Sequence, residues 1–157
     1  MLNLTFGGVF LELSKTDVSI IRVLQKNSRL SLRKIASTVS VSVATVMNRL
    51  NRLEAEGIVK KYSVYLDYEK LGFDLEALIE IRVSKGRLIE VERKIASHPN
   101  VFAVYDITGD FDVVVLAKFR NRRTLDVFVK KIQTYEFVER TETKIILNTI
   151  KEEQLKL

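Results

Sequence analysis

The apolar residues of this chain change their period part-way along, and that switch constrains the fold more than any other feature. Up to Gly57 they recur at helical spacing; from Ala77 they alternate, as in a strand with one covered face. A single layer type cannot satisfy both periods. The 157 residues are therefore expected to form two parts of different class, α+β taken together.

The first part reads as three helices. Ser14-Lys15-Thr16-Asp17 is a variant capping box ahead of Val18, Ile21, Leu24 and Gln25, and this run ends at Asn27. Ser31 opens a short helix through Ile35 and Val39. Ser40-Val41-Ser42 interrupts it, and a third helix runs from Val43 to Glu56, stopped by Gly57. Ile58 to Leu66 turns β-rich, with Lys60 and Lys61 interposed, and predicts a basic strand. Three helices with a tight join before the third, then a basic strand, are the layout of a winged helix-turn-helix, expected over residues 14–66.

The third helix carries the chemistry. At ~100° per residue, Val43, Val46, Leu50 and Leu53 fall on one side and are predicted to pack on the first two helices. Thr45, Asn48, Arg49 and Arg52 fall on the other side. Arginine forks to guanine or phosphate, and asparagine offers a donor and an acceptor to adenine, so this face suits a major groove. Ser31, Arg33, Ser42, Lys60 and Lys61 complete the expected set of DNA contacts. An ordinary amphipathic surface helix would show the same spacing, so the charge distribution matters. Ser14 to Leu66 holds ten Lys/Arg against three acids, whereas Asp67 to Leu157 holds sixteen of each. The excess positive charge thus lies in the helical part, as expected where one unit meets phosphates and the other something else.

After a linker at 67–76, with Gly72 as its pivot, the second part follows the order β-α-β-β-α-β. Ala77–Val83 alternates; Leu88–Ser97 is helical and ends before Pro99. Val101–Thr108 and Phe111–Phe119 are β-rich runs about the hairpin signal Gly109-Asp110. Thr124–Tyr135 is helical, and Val138–Ile150 closes as a long strand. Residues 77–157 are therefore expected to form a ferredoxin-like sheet with two helices on one face. The bare face, carrying Val114 and Leu116, is expected to pack on another subunit.

Several classes are excluded or disfavoured. Without Cys there is no disulfide framework and no thiolate site, and with His98 alone neither a His-built metal centre nor a Ser-His-Asp triad is expected. His98, beside Pro99 at a helix end, reads as a surface or capping residue. The apolar stretch Met1–Leu11 has no basic leader and falls short of the roughly 20 residues of a membrane span. Residues 1–13 read as the N-terminal arm of a cytoplasmic protein, with no membrane partner. No catalytic residue and no cofactor are expected.

The residues also carry a family resemblance. Asp17-x-x-Ile20-Ile21-x-x-Leu24-Gln25-x-Asn27-Ser28-Arg29, Ile35-Ala36, Ser42-Val43-Ala44-Thr45-Val46 and Arg49-Leu50-x-x-Leu53-Glu54-x-x-Gly57-Ile58-Val59 resemble the Lrp/AsnC (leucine-responsive, or feast/famine) transcription regulators. Gly109-Asp110-Phe111-Asp112 and Arg140-Thr141-Glu142-Thr143 resemble that family's amino-acid-sensing domain. The resemblance implies a dimer that binds double-stranded DNA, assembles further, commonly into octamers, and takes an amino-acid effector at an interface between dimers. It implies effector contacts from Gly109, Asp110 and Asp112 on the turn and from Thr141 and Thr143 on the last strand. The chemistry is compatible: carboxylates and carbonyls accept from an ammonium, and backbone N–H and hydroxyl groups donate to a carboxylate. Three alternatives stand beside it. One is an architectural, chromatin-like DNA-coating protein, and one a sheet domain that only oligomerises. The third is an enzyme resembling the haem-biosynthesis decarboxylases, which would need His and Arg around a tetrapyrrole.

Overall fold

Each helix of the N-terminal unit begins where a serine caps it. In the computed structural model, which describes residues 5–6, 9–10 and 12–157 apart from 85, helix α1 spans Lys15–Lys26, α2 Leu32–Val39 and α3 Val43–Ala55. Ser14, Ser31 and Ser42 are their N-caps, and each Oγ accepts from a backbone N–H in the first turn, filling a donor that the helix itself cannot use. The tight join between α2 and α3 relies on Ser40 at φ 59°, a left-handed residue that turns the chain in three steps. The expected arm at 1–13 lies largely outside the described residues. Within it Thr5–Phe6 (β1) pairs antiparallel with Val9–Phe10 (β2).

The three helices enclose Ile20, Ile21, Ile35, Ala36, Val46, Leu50 and Leu53. Val43, expected in this core, is 41% exposed, because it sits in the first turn of α3 beyond the reach of α1 and α2. The predicted basic strand at Ile58–Leu66 does not form. A strand needs a neighbour to take its N–H and C=O groups, and this segment pairs with none of the described strands. Instead the N–H groups of Ile58 and Val59 close α3 on the carbonyl of Leu53, and Tyr62 Oη donates to Glu54 at 2.7 Å. Partial burial, with that bond and the Glu54 charge, pushes the Tyr62 phenol up to about 12.

One charge lies in this core. Asp17 is fully buried, and its Oδ2 accepts from Ser14 N (2.9 Å), Ser14 Oγ (2.6 Å), Arg52 Nη2 (2.7 Å) and, more distantly, Arg49 Nη1 (3.5 Å). The capping box of α1 and two arginines of α3 thus converge on one oxygen, which fixes the roll of α3 against α1. Burial pushes the carboxyl up, but the Ser14 hydrogen bonds and the two guanidiniums outweigh it and hold it below the ordinary 3.8.

The second unit is a four-stranded antiparallel sheet. Its strands are β3 (Leu75–Val83), β4 (Val101–Asp106), β5 (Val113–Phe119) and β6 (Val138–Ile146), in the spatial order β4-β5-β3-β6, with α4 (Leu88–Ala96) and α5 (Arg122–Gln133) between them in sequence. This is the expected βαββαβ arrangement. Ala77, Ile79 and Ile81 of β3 and Val113, Val115, Ala117 and Phe119 of β5 point to one side, where Val91, Ile95, Leu125, Phe128 and Ile132 of the helices cover them. His98, half-buried at the end of α4, sets its ring against this layer. Its ring lies 4.5 Å from that of Phe128, its Nδ1 accepts from Asn100 N, and burial beside Lys131 lowers its pKa. Strand β6 stops at Ile146, four residues short of its expected end. By contacts the chain divides into Met1–Tyr65 with Glu153–Leu157, and Leu66–Glu152. The last residues lie on α1, where Arg22 Nε donates to Leu157 O and Gln25 Nε2 to Leu155 O, both at 2.7 Å. Among the described residues no helix is long and apolar enough to cross a membrane.

The Asp17 network makes a direct prediction. Asp17→Asn removes a charge that four donors address, and is expected to lower unfolding stability by about 1–3 kcal/mol at pH 7. Because the folded carboxyl titrates below 3.8, its contribution is complete above that value and is lost as pH falls through the folded pKa. Urea melts at pH 7 and pH 3 should show the difference between parent and variant shrinking in acid.

Candidate nucleic-acid interface and effector pocket

The exposed stripe of α3 is rotated by one residue from its expected position. Ala44, Met47, Asn48 and Asn51, at i, i+3, i+4 and i+7, all face solvent, with Met47 46% exposed. Thr45, Arg49 and Arg52, expected on the outward face with Asn48, are only half exposed and lie along its flank. Thr45 Oγ1 is 2.8 Å from Ser42 Oγ, within the cap of α3. The two arginines turn toward Asp17. Arg52 is also 3.8 Å from Glu56, and its Nε is buried without a hydrogen-bond partner among the described residues. Periodicity alone missed this because the apolar stripe fixes only where the core lies. The roll of the polar face is decided by a buried acid on another helix.

Around this stripe the structure exposes Ser31, Arg33, Lys60 and Lys61, and Ser42 at the start of α3. Ser31 and Ser42 spend their hydroxyls on capping, which leaves the basic side chains to meet phosphates. Met47 and Asn51 did not emerge from the sequence. Asn51 lies 100° from the core residue Leu50 on a helical wheel, and that offset was the available signal.

In the second unit the connection between β4 and β5 is a six-residue loop, 107–112, wider than the Gly109-Asp110 hairpin expected. Asp112 closes it from three sides: its carbonyl accepts from Ile107 N at 2.9 Å, its N–H donates to Ile81 O at 3.0 Å, and its Oδ2 accepts from Val83 N at 2.8 Å. Gly109 sits at φ 125°, a conformation that L side chains rarely adopt. The loop overhangs an open depression of about 300 Å³ lined by Glu80, Ile107, Thr108, Asp110, Phe111, Glu142 and Lys144. Lys144 is held by Glu80 and lies 3.5 Å from Glu142; the Glu80 hydrogen bond raises its pKa and keeps it cationic. The depression therefore presents three carboxylates, one ammonium and a loop backbone.

Not every expected effector residue meets here. Thr141 and Thr143 pair in register with Ile81 and Ile79, whose side chains are buried beneath the helices, and Gln133 of α5 donates to Thr141 Oγ1 at 2.8 Å. They lie on the helix side of β6, whereas Glu142 and Lys144 line the depression. Gly109 and Asp110 are on the loop itself, and the Asp112 carboxylate is committed to β3.

Comparison with known proteins agrees with both halves. Residues 13–60 match the model for winged helix-turn-helix DNA-binding domains, and residues 76–155 match that for the Lrp/AsnC ligand-binding domain. An HTH-type transcriptional regulator of Pyrococcus horikoshii is 41% identical over 143 residues, covering 91% of this chain and 97% of its own. The regulator FL11 of Pyrococcus furiosus is 35% identical over 140 residues, covering 89% and 93%. Among solved structures, AsnC of Escherichia coli superposes with a TM-score of 0.86 at 25% identity, covering 94% and 100%. A Neisseria meningitidis transcriptional regulator, solved as its L-Met complex, superposes with a TM-score of 0.84 at 28% identity, covering 93% and 96%. These relatives are regulators rather than enzymes, which removes the decarboxylase alternative. The chain belongs to the Lrp/AsnC family of DNA-binding transcription regulators.

Proposed function

We propose that this regulator senses a free amino acid in the depression beneath loop 107–112, and that the bound effector changes its assembly or the spacing of its DNA-binding heads. The observation that carries this reading is the mixed charge of the depression. Asp110 and Glu142 suit an ammonium, while Lys144 and the N–H groups of the Gly109 turn suit a carboxylate. A zwitterion would satisfy both, exchanging the internal Lys144–Glu80 and Lys144–Glu142 pairs for its own. The depression is shallow in one chain, which fits a site completed by a second copy. That the Neisseria regulator was solved with L-Met supports an amino acid as the class of ligand. In this reading Gly109 and Asp110 touch the effector and Asp112 holds the loop; Thr141 and Thr143 take part only from the helix side.

The same reading makes the chain at least a dimer. The sheet face away from the helices presents Leu78, Val114 and Leu116 at its centre and Tyr105, 55% exposed, toward its β4 edge. A second copy would cover this face and set two α3 helices against two half-sites of DNA. For the DNA-binding unit, Arg33, Lys60, Lys61 and Arg49 contact phosphates around an α3 seated in the major groove, and Arg52 braces that helix through Asp17. Ser31, Ser42 and Thr45 hold the helix starts at the backbone, and Asn48 meets bases.

Two outcomes test this. With a DNA fragment from upstream of its own gene, one of the twenty amino acids should change the affinity or the footprint, and Asp110→Ala should abolish that response while leaving DNA binding intact. DNA binding that no amino acid alters would favour an architectural role, with the sheet domain serving assembly alone. Leu116→Arg should lower the molar mass measured by light scattering; an unchanged mass would place the subunit interface elsewhere.

A further inference from the structure

Two arginines on a helix that enters a major groove are ordinarily its guanine readers, since a guanidinium pairs bidentately with O6 and N7. In this chain both are engaged from behind. Arg52 Nη2 lies 2.7 Å from Asp17 Oδ2, with Arg49 Nη1 at 3.5 Å from the same oxygen. Both arginines address the same oxygen, Oδ2, while Oδ1 is buried without a hydrogen-bond partner among the described residues. An acid fully removed from water holds the cations at its engaged oxygen more firmly than an exposed partner would. Among the exposed side chains of α3, Ala44, Met47, Asn48 and Asn51 form one stripe, with Val43 exposed at its start.

We propose that Asp17 is a specificity-determining residue: by engaging Arg49 and Arg52 it withdraws guanine reading from α3 and leaves the bases to Met47, Asn48 and Asn51. The chemistry of that stripe is one-sided. Asparagine pairs bidentately with adenine N6 and N7, and apolar side chains pack on the thymine methyl. The contacted positions of each half-site are therefore A·T pairs. Arg49, 37% exposed and the more loosely held, retains N–H groups for a flanking phosphate, and Arg52 acts as a strut between helices. This inference rests on the reading that α3 enters the major groove and goes on to say which of its residues discriminate.

The test is selection of binding sites from a random duplex library by the full chain and its variants, with folding checked by circular dichroism. The parent should select A·T pairs at the contacted positions. Asn48→Ala and Asn51→Ala should each flatten the preference at a different position. Arg49→Ala should weaken binding to all sequences alike and make the salt slope shallower by about 1, leaving the selected pattern unchanged. Asp17→Asn, which keeps the shape but drops the charge, should admit guanine at a position where the parent refuses it. A parent site containing guanine whose preference disappears in Arg49→Ala or Arg52→Lys would overturn the proposal, as would an unchanged pattern in a folded Asp17→Asn. If Asp17→Asn fails to fold, the Arg49→Ala and Asn51→Ala patterns decide the matter alone. A parent that binds no duplex at any salt concentration overturns the major-groove reading itself, an outcome distinct from binding with the wrong bases.

Discussion

The Asp17 carboxylate is the constraint on which the N-terminal unit turns. It completes the cap of α1 through Ser14 and draws Arg52 and Arg49 of α3 toward α1, so one acid starts a helix, orients another and balances the charge between them. Burying a carboxylate is costly in itself. Here the cost is offset because its donors come from separate elements and reach it only when those elements are correctly placed. A network of this kind specifies one arrangement of helices more sharply than apolar packing, which tolerates a small roll of α3 about its axis with the same residues buried.

That distinction explains which parts of the structure were legible in the sequence. The caps Ser14 and Ser31, the three helices and the order βαββαβ follow from local chemistry and period, and each is written within a few residues of where it acts. Ser42, read as a break and a DNA contact, proves to be the cap of α3. The roll of α3 is not local. The wheel that placed Leu50 and Leu53 inside was correct, yet it set Arg49 and Arg52 outward because nothing in residues 43–55 records a buried acid thirty-five positions earlier in sequence. The absent strand at Ile58–Leu66 has a related cause: Val59, Tyr62, Val64 and Tyr65 have the composition of a strand, but composition does not supply a pairing edge.

The second unit shows the same division. Gly109-Asp110 announced a turn, and a turn is there, but its width is set by Asp112 reaching back to Ile81 and Val83. Family resemblance pointed to the last strand as a source of effector contacts; the pleat then assigns alternate residues to opposite faces, and Glu142 and Lys144, not Thr141 and Thr143, come to lie beneath the loop. A one-residue difference in register separates the two sets, and register is fixed by pairing with β3 rather than by β6 itself.

Strand β3 links these features mechanically. Nine residues at ~3.4 Å each make a rod of roughly 30 Å, hydrogen-bonded to β5 on one edge and to β6 on the other, with loop 107–112 clamped to its far end by Asp112 and the connector from the first unit entering at Leu75. Such a strand does not stretch, and it can bend or slip only by breaking two ladders at once. Its amides, paired on both edges, are expected to be among the slowest of the unit to exchange. A load applied at the loop is therefore shared by the whole sheet and reaches Leu75 as displacement of the sheet rather than as local melting of β3.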